Sequence, residues 1–135
     1  MRRSKRYMLD TNTVSHLIKQ HPVVVSHVIT TPMPLLCIST ITEGELLFGL
    51  AKRPLAKGLQ AAVLEFLRRA DVLAWNSEAA QSYGAMRAEL ESKGKTLGSL
   101  DALIGAHALA SSSVLVTNDR AFAQVASLEL QDWTI

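Results

Sequence analysis

The sequence predicts an α/β domain on a mainly parallel five-stranded sheet, and three observations carry that reading. Short β-rich runs of about four to six residues alternate with longer stretches of helical periodicity. Strands separated in this way by helices pair in parallel through right-handed crossovers. The length of 135 residues, 48% hydrophobic and 19% charged, is that of one ordinary globular domain. A single domain over 1–135 is therefore expected, with residues 1–6 as a basic N-terminal arm.

Taken in order, Arg6–Asp10 reads as a strand that ends in a polar turn. Asn12–Gln20 and Pro22–Thr30 read as helices, with Pro22 suited to a first helical position where no N–H is needed. Leu35–Ser39 is the second strand, and the Pro32-Met33-Pro34 stretch before it is expected to be non-helical. Helical patterns follow at Thr40–Lys52 and Pro54–Ala70, then a strand at Val72–Trp75. Ser77 can cap a long helix to Ser92, which Gly94 ends. Ser99–Ser111 is a further helix with Ser99 as its expected cap, Ser113–Thr117 a strand, Arg120–Val125 a helical turn and Leu128–Asp132 the last strand.

In a parallel sheet, functional groups collect beyond the carboxyl ends of the strands. Asp10 closes the first strand, Ser39 the second, and Thr117-Asn118-Asp119 the fourth. Taken singly, Asp10 serves equally as the cap of the next helix and Asp119 as an Asx-turn. Two acids at one rim of one sheet ask for more than capping. Asp101 falls in the first turn of its helix, where the macrodipole alone favours an acid. The helix Thr40–Lys52 carries both Glu43 and Glu45, and its periodicity does not choose between them.

Crowded carboxylates repel, by about 4 kcal/mol for a pair about 4 Å apart at an effective dielectric of about 20. Several at one rim imply raised pKa values or a bound cation. Oxygen ligands without a His or Cys cluster suit Mg²⁺ or Mn²⁺ better than Zn²⁺. Such ions activate water and stabilise the charge that develops in phosphodiester cleavage, so the chemistry points to hydrolysis of a nucleic acid.

Net charge adds little to that inference. Arg2, Arg3, Lys5 and Arg6 supply four of the fourteen basic residues, and from Tyr7 onward the balance is −2. The formal +2 of the whole chain therefore says little about nucleic-acid binding. No apolar run reaches the roughly 18 residues of a membrane span, and no secretion signal opens the chain. The lone Cys37 lies in an apolar run and is expected to be a buried thiol, which with these absences suggests the cytoplasm.

Met8-Leu9-Asp10-Thr11-Asn12 resembles the opening motif of PIN-domain ribonucleases, especially the VapC-type toxins of type II toxin–antitoxin systems. Ser39-Thr40-Ile41-Thr42-Glu43-Gly44-Glu45-Leu46-Leu47-Phe48-Gly49 resembles the second motif, which selects Glu45. Gly98-Ser99-Leu100-Asp101-Ala102-Leu103-Ile104 is similar to the third, and Val116-Thr117-Asn118-Asp119 with Phe122 to the last. The correspondence runs from about Tyr7 to Asp132-Trp133.

The resemblance implies a three-layer α/β/α PIN-like domain and a Mg²⁺- or Mn²⁺-dependent endoribonuclease. Asp10, Glu45, Asp101 and Asp119 would be catalytic and bind metal, supported by Asn12, Ser39 and Thr117. It further implies RNA as substrate, tRNA among the candidates, a homodimer, a cognate VapB-type antitoxin, and contact with operator DNA only through that antitoxin. One position departs from the pattern: Ala121 stands where many relatives carry an acid, which puts a second metal in question.

Other features carry less. Gly94-Lys95-Thr96 mimics the end of a P-loop, but Glu89 stands where the earlier glycine is required. Lys93 and Lys95 read as a solvated loop. His16, His21, His27 and His107 share no ligand spacing, and Trp75, Tyr83 and Trp133 fall in periodic segments expected to be core or interface. The apolar load of the first half, Val23-Val24-Val25 and Leu46-Leu47-Phe48 included, suggests a face that packs on another subunit. Two rivals are a non-catalytic PIN-fold binding module and a receiver-like signalling domain. The second also needs an acid pair at the first strand and a lysine after a late one, and has neither here.

Overall fold

A computed structural model describes residues 5–135 of the chain. Five strands form one sheet: β1 (Tyr7–Leu9), β2 (Leu36–Ser39), β3 (Asp71–Leu73), β4 (Val114–Val116) and β5 (Leu130–Gln131). Their order is β3-β2-β1-β4-β5 and every neighbouring pair is parallel. The six helices are α1 (Thr11–Ile18), α2 (Pro22–Thr30), α3 (Thr40–Ala51), α4 (Lys57–Arg69), α5 (Ser77–Ser92) and α6 (Ser99–Ala110).

Alternation along the strands divides the core into two layers. Met8, Cys37 and Leu115 pack on one face with Met86, Ile104 and Phe122. Leu9, Ile38 and Val116 pack on the other with Val14, Val24 and Leu46. The sheet is thus covered on both faces, giving the α/β/α sandwich. Gly105 of α6 faces Phe122 and Leu128 in the core, where a Cβ would make ordinary contact, 3.4 Å from the Phe122 ring.

The chain builds outward from β1 to β2 and β3, then returns to the far side of β1 for β4. That reversal puts a switch point between β1 and β4, and the crevice beyond their carboxyl ends is where such sheets hold their ligands. The register brings Leu9 opposite Val116, and the Asp10 amide donates to the Val116 carbonyl at 3.1 Å.

Several boundaries differ from those read in the sequence. Helix α4 begins at Lys57 rather than Pro54, because Pro54 and Leu55 form the turn after α3. Gln60 Nε2 adds a side-chain tie across that turn, donating to the Leu50 and Arg53 carbonyls. The proline stretch is not free of helix: Met33–Leu35 makes one 3₁₀ turn, in which Pro34 occupies an early position that needs no N–H donor. Asn76, not Ser77, caps α5, and Gly98, not Ser99, precedes α6 as its N-cap. The third strand starts at Asp71, which pairs with Arg6, while Trp75 leaves the sheet and donates its indole N–H to the Leu103 carbonyl. The last strand shortens to Leu130–Gln131, since Leu128 is already committed to the core.

Cys37 is buried at the sheet centre, and burial raises its thiol pKa. No helix among the described residues is long and apolar enough to cross a membrane. Of the basic arm, Arg2 and Arg3 lie outside the described residues, while Lys5 and Arg6 pair with Glu129 and Asp71.

Candidate active site

Each acid of the site is delivered by the start of a helix at the carboxyl rim of the sheet. Asp10 follows β1 and is the N-cap of α1, its Oδ1 accepting the Thr13 amide at 2.8 Å. It is only 5% exposed. The cap and a functional role are therefore not alternatives: a carboxylate has two oxygens, and the cap engages one of them. Thr13 secures the same turn by donating its hydroxyl to the Val116 carbonyl at 3.0 Å, tying α1 to β4.

Glu45 lies on the second turn of α3. Its Oε1 accepts the Thr11 hydroxyl at 2.6 Å, a bond that joins α1 to α3. Thr42 stands 3.4 Å from the same hydroxyl. Asp101 sits in the first turn of α6, half-buried, beside Gly98. A Cβ at Gly98 would lie 3.6 Å from Asp101 Oδ2, so the missing side chain leaves that edge of the carboxylate open. Asp119 follows β4 and caps the short 3₁₀ turn Arg120–Gln124, Oδ1 accepting the Ala121 amide at 2.9 Å. Its own amide donates to Thr117 Oγ1 at 3.0 Å, which fixes the loop.

Electrostatics link the four. The Asp101 pKa is raised, first by burial and then by the negative charges of Asp119, Asp10 and Glu45. Glu45, not Glu43, is the α3 acid that acts on it. Among the described residues, however, no three Asp, Glu, His or Cys side chains stand close enough to ligate one ion as they are placed. The carboxylates sense each other through space without converging on a point. In donor chemistry they fit a hard divalent cation: all oxygens, mutually repelling, with Asp10, Glu45 and Asp119 each engaging only one oxygen in the bonds just described.

The other expected residues are placed differently from one another. Thr117 is buried and positions Asp119. Ser39 is fully buried, caps α3 by accepting the Ile41 amide at 3.0 Å, and lies 2.8 Å from His107 Nδ1. Its hydroxyl therefore braces α3 against α6. Asn12 is exposed on the first turn of α1. Thr11 and Thr13 escaped the sequence reading, although a hydroxyl residue one or three places after a strand-end acid is a usable signal for both. His107 is buried beside Ser39, His21 caps α2, and His27 stacks on Trp133 with ring centroids 5.2 Å apart.

Comparison with known proteins agrees with this geometry. The PIN-domain family model matches residues 7–128. A "tRNA(fMet)-specific endonuclease VapC" of Salmonella typhimurium is 38% identical over 130 residues, covering 95% of this chain and 98% of that protein. One of the same description from Shigella flexneri is 35% identical, covering 96% and 98%. The structure of DNA-bound VapBC from Salmonella typhimurium superposes with a TM-score of 0.88 at 35% identity, covering 96% of this chain and 99% of that one. With the acids at the carboxyl rim and likeness over nearly its full length, the chain belongs to the PIN-domain family, among the VapC ribonucleases.

Proposed function

We propose that the protein is the endoribonuclease toxin of a toxin–antitoxin pair, hydrolysing RNA, with tRNA as its substrate class, to arrest translation and growth. The observation that carries this reading is the placement of four carboxylates, Asp10, Glu45, Asp101 and Asp119, around the carboxyl rim of one sheet, where burial and the other three charges raise the Asp101 pKa. The caps at Asp10 and Asp119 and the Thr11 bond to Glu45 each use one carboxylate oxygen and leave the mutual repulsion unrelieved, which a positively charged ligand would offset. The sequence likeness to endonucleases named for a tRNA supports the choice of substrate.

Asp10, Glu45, Asp101 and Asp119 would hold Mg²⁺ or Mn²⁺. Bound there, such an ion supplies Lewis-acid stabilisation of phosphoryl oxygens and a water of lowered pKa. The chain's own part is positioning. Thr11 holds Glu45, Thr117 holds the Asp119 loop, and the α1 amide at Thr13 fixes the Asp10 carboxylate. These supports lie on helix starts and strand ends rather than long loops, which keeps the acids in register.

A VapB-type antitoxin and a twin subunit are the expected protein partners. Ile29, Met33, Leu47 and Phe48 are large apolar residues left exposed, the last by 63%. Operator DNA would be reached only through the antitoxin, and the toxin itself would work in the cytoplasm, where its RNA is. The test is incubation of purified protein with a tRNA pool and total RNA, with Mg²⁺, Mn²⁺ or chelator, beside Asp10→Asn. Metal-dependent cuts by wild type alone are expected. Cleavage that survives both the chelator and Asp10→Asn would overturn the reading.

A further inference from the structure

We infer that the cleft between α1 and α3 carries the RNA backbone into the acidic site, with Lys19, Lys52 and Arg53 as its phosphate contacts. This rests on the nuclease reading and adds the track the substrate follows. The cleft encloses about 200 Å³, with Thr11 and Glu45 among its lining residues and all three cations on the same walls.

Helix geometry explains why they share it. Lys52 follows Glu45 by seven residues, close to two full turns, so both lie on one face of α3 roughly 10 Å apart along the axis. Lys19 follows Thr11 by eight on α1, roughly 12 Å along. Both helices start at the carboxyl rim and run away from it. Their N-terminal halves therefore supply the acid and the hydroxyl, and their C-terminal ends supply the cations, along one groove.

Pairing separates these cations from six of the others, and Lys57, Lys95 and Arg120, which likewise form no ion pair among the described residues, do not line the cleft. Lys5, Arg6, Arg68, Arg69, Arg87 and Lys93 each meet a carboxylate within 4.0 Å. No such ion pair forms at Lys19, Lys52 or Arg53 among the described residues, although Glu45 lines the same cleft. Lys52 instead rests over the Phe48 ring, 4.7 Å from its centroid, which orients the ammonium without neutralising it. Cations at helix ends also answer the macrodipole. That effect acts on each helix by itself and gives no reason for three unneutralised charges to meet in one groove beside the acids.

A polyanion with a reacting phosphate at the acids and its next phosphates along the strand at the cations satisfies both ends. Such contacts position the strand without reading its sequence. They also compensate a body whose balance from Tyr7 onward is −2.

The test uses the Asp10→Asn protein, so that RNA is bound without being cut, and a fluorescein-labelled oligouridylate read by anisotropy across a salt series. Adding K19Q, K52Q and R53Q together should weaken binding at least about tenfold. The slope of log affinity against log salt should fall by about 2, at roughly 0.7 per lost phosphate on a single strand. A charge-matched R68Q/R69Q/R87Q control should keep the slope, and K19R/K52R/R53K should restore it, which separates charge from folding. An unchanged slope in the cleft variant, with RNA cleavage intact in the wild-type protein, would overturn the track and leave the nuclease reading standing. Absence of both RNA binding and RNA cleavage in the parent protein would overturn both. Capture of an oligoglutamate peptide by these cations, with the RNA slope unchanged, would give the groove to an acidic protein segment and likewise overturn the inference.

Discussion

Thr11 Oγ1 donates to Glu45 Oε1 at 2.6 Å, so the first residue of α1 holds an acid of α3 through a bond that crosses two helices. A hydrogen bond to a charged acceptor contributes roughly 1.5–3 kcal/mol. Thr11→Val removes the donor at nearly constant volume and should reduce cleavage by tenfold or more while costing about 1–2 kcal/mol of stability. Thr11→Ser should keep most of both. Initial cleavage rates and urea midpoints of the two variants check this, and equal loss by both would show that packing rather than the hydroxyl matters.

Asp10 joins a structural and a chemical task in one carboxylate. Asn caps a helix about as well as Asp, whereas Ala costs about 1 kcal/mol at such a position. Asp10→Asn should therefore unfold at the wild-type urea midpoint yet lose RNA cleavage by at least a hundredfold. Asp10→Ala should lose both activity and about 1 kcal/mol. Wild-type cleavage by the Asn variant would remove Asp10 from the site.

Much of the frame was legible because the periodicities of helix and strand differ and β1, β2 and β4 are strongly apolar. What the sequence could not give was capping and strand length. Asn76 and Ser77 are both good caps, and only the turn's path decides for Asn76. Leu128 reads as strand, but the core claims it before β5 begins. In the site, Asp10 and Asp119 stood out by their place after apolar strands. Helical projection could not choose Glu45 over Glu43, since that choice is made by Thr11 on another element. The brace between Ser39 and His107, 68 positions apart, lies equally beyond local pattern.

That brace carries a pH dependence. His107 is buried and its pKa is lowered by desolvation. Below the ordinary histidine value the unfolded chain takes up a proton that folded His107 resists, so the unfolded state binds more protons and stability falls with pH. The loss should set in as pH drops through about 6.5 and continue down to the lowered folded value. Ser39 Oγ lies 2.8 Å from His107 Nδ1, and in the tautomer where that nitrogen accepts, protonation removes the bond. His107→Asn should cost about 1–3 kcal/mol at pH 8 and flatten this part of the profile relative to wild type. Urea midpoints from pH 5 to 8 measure it, and parallel profiles would remove His107 from the pH dependence.

Asp101 makes the opposite demand on the protein. Its folded pKa is raised, so the folded state holds its proton to higher pH than the unfolded chain does. The linked stability is present at low pH and is lost as pH rises from the ordinary aspartate range through the folded value. At neutral pH the ionised carboxylate is thus a net cost in the metal-free protein, and neutralising it should stabilise the fold. Asp101→Asn is expected to raise the unfolding temperature in chelator while abolishing cleavage. Divalent metal should reverse the order. An ion that binds only the folded protein adds about 2.7 kcal/mol at a hundred times its dissociation constant, which lifts wild type and leaves the variant behind. Thermal unfolding of both proteins in chelator and across a Mg²⁺ and Mn²⁺ titration gives the two curves. A crossing point identifies Asp101 as a residue whose charge destabilises the fold until a cation offsets it, whereas parallel curves would separate it from the metal altogether.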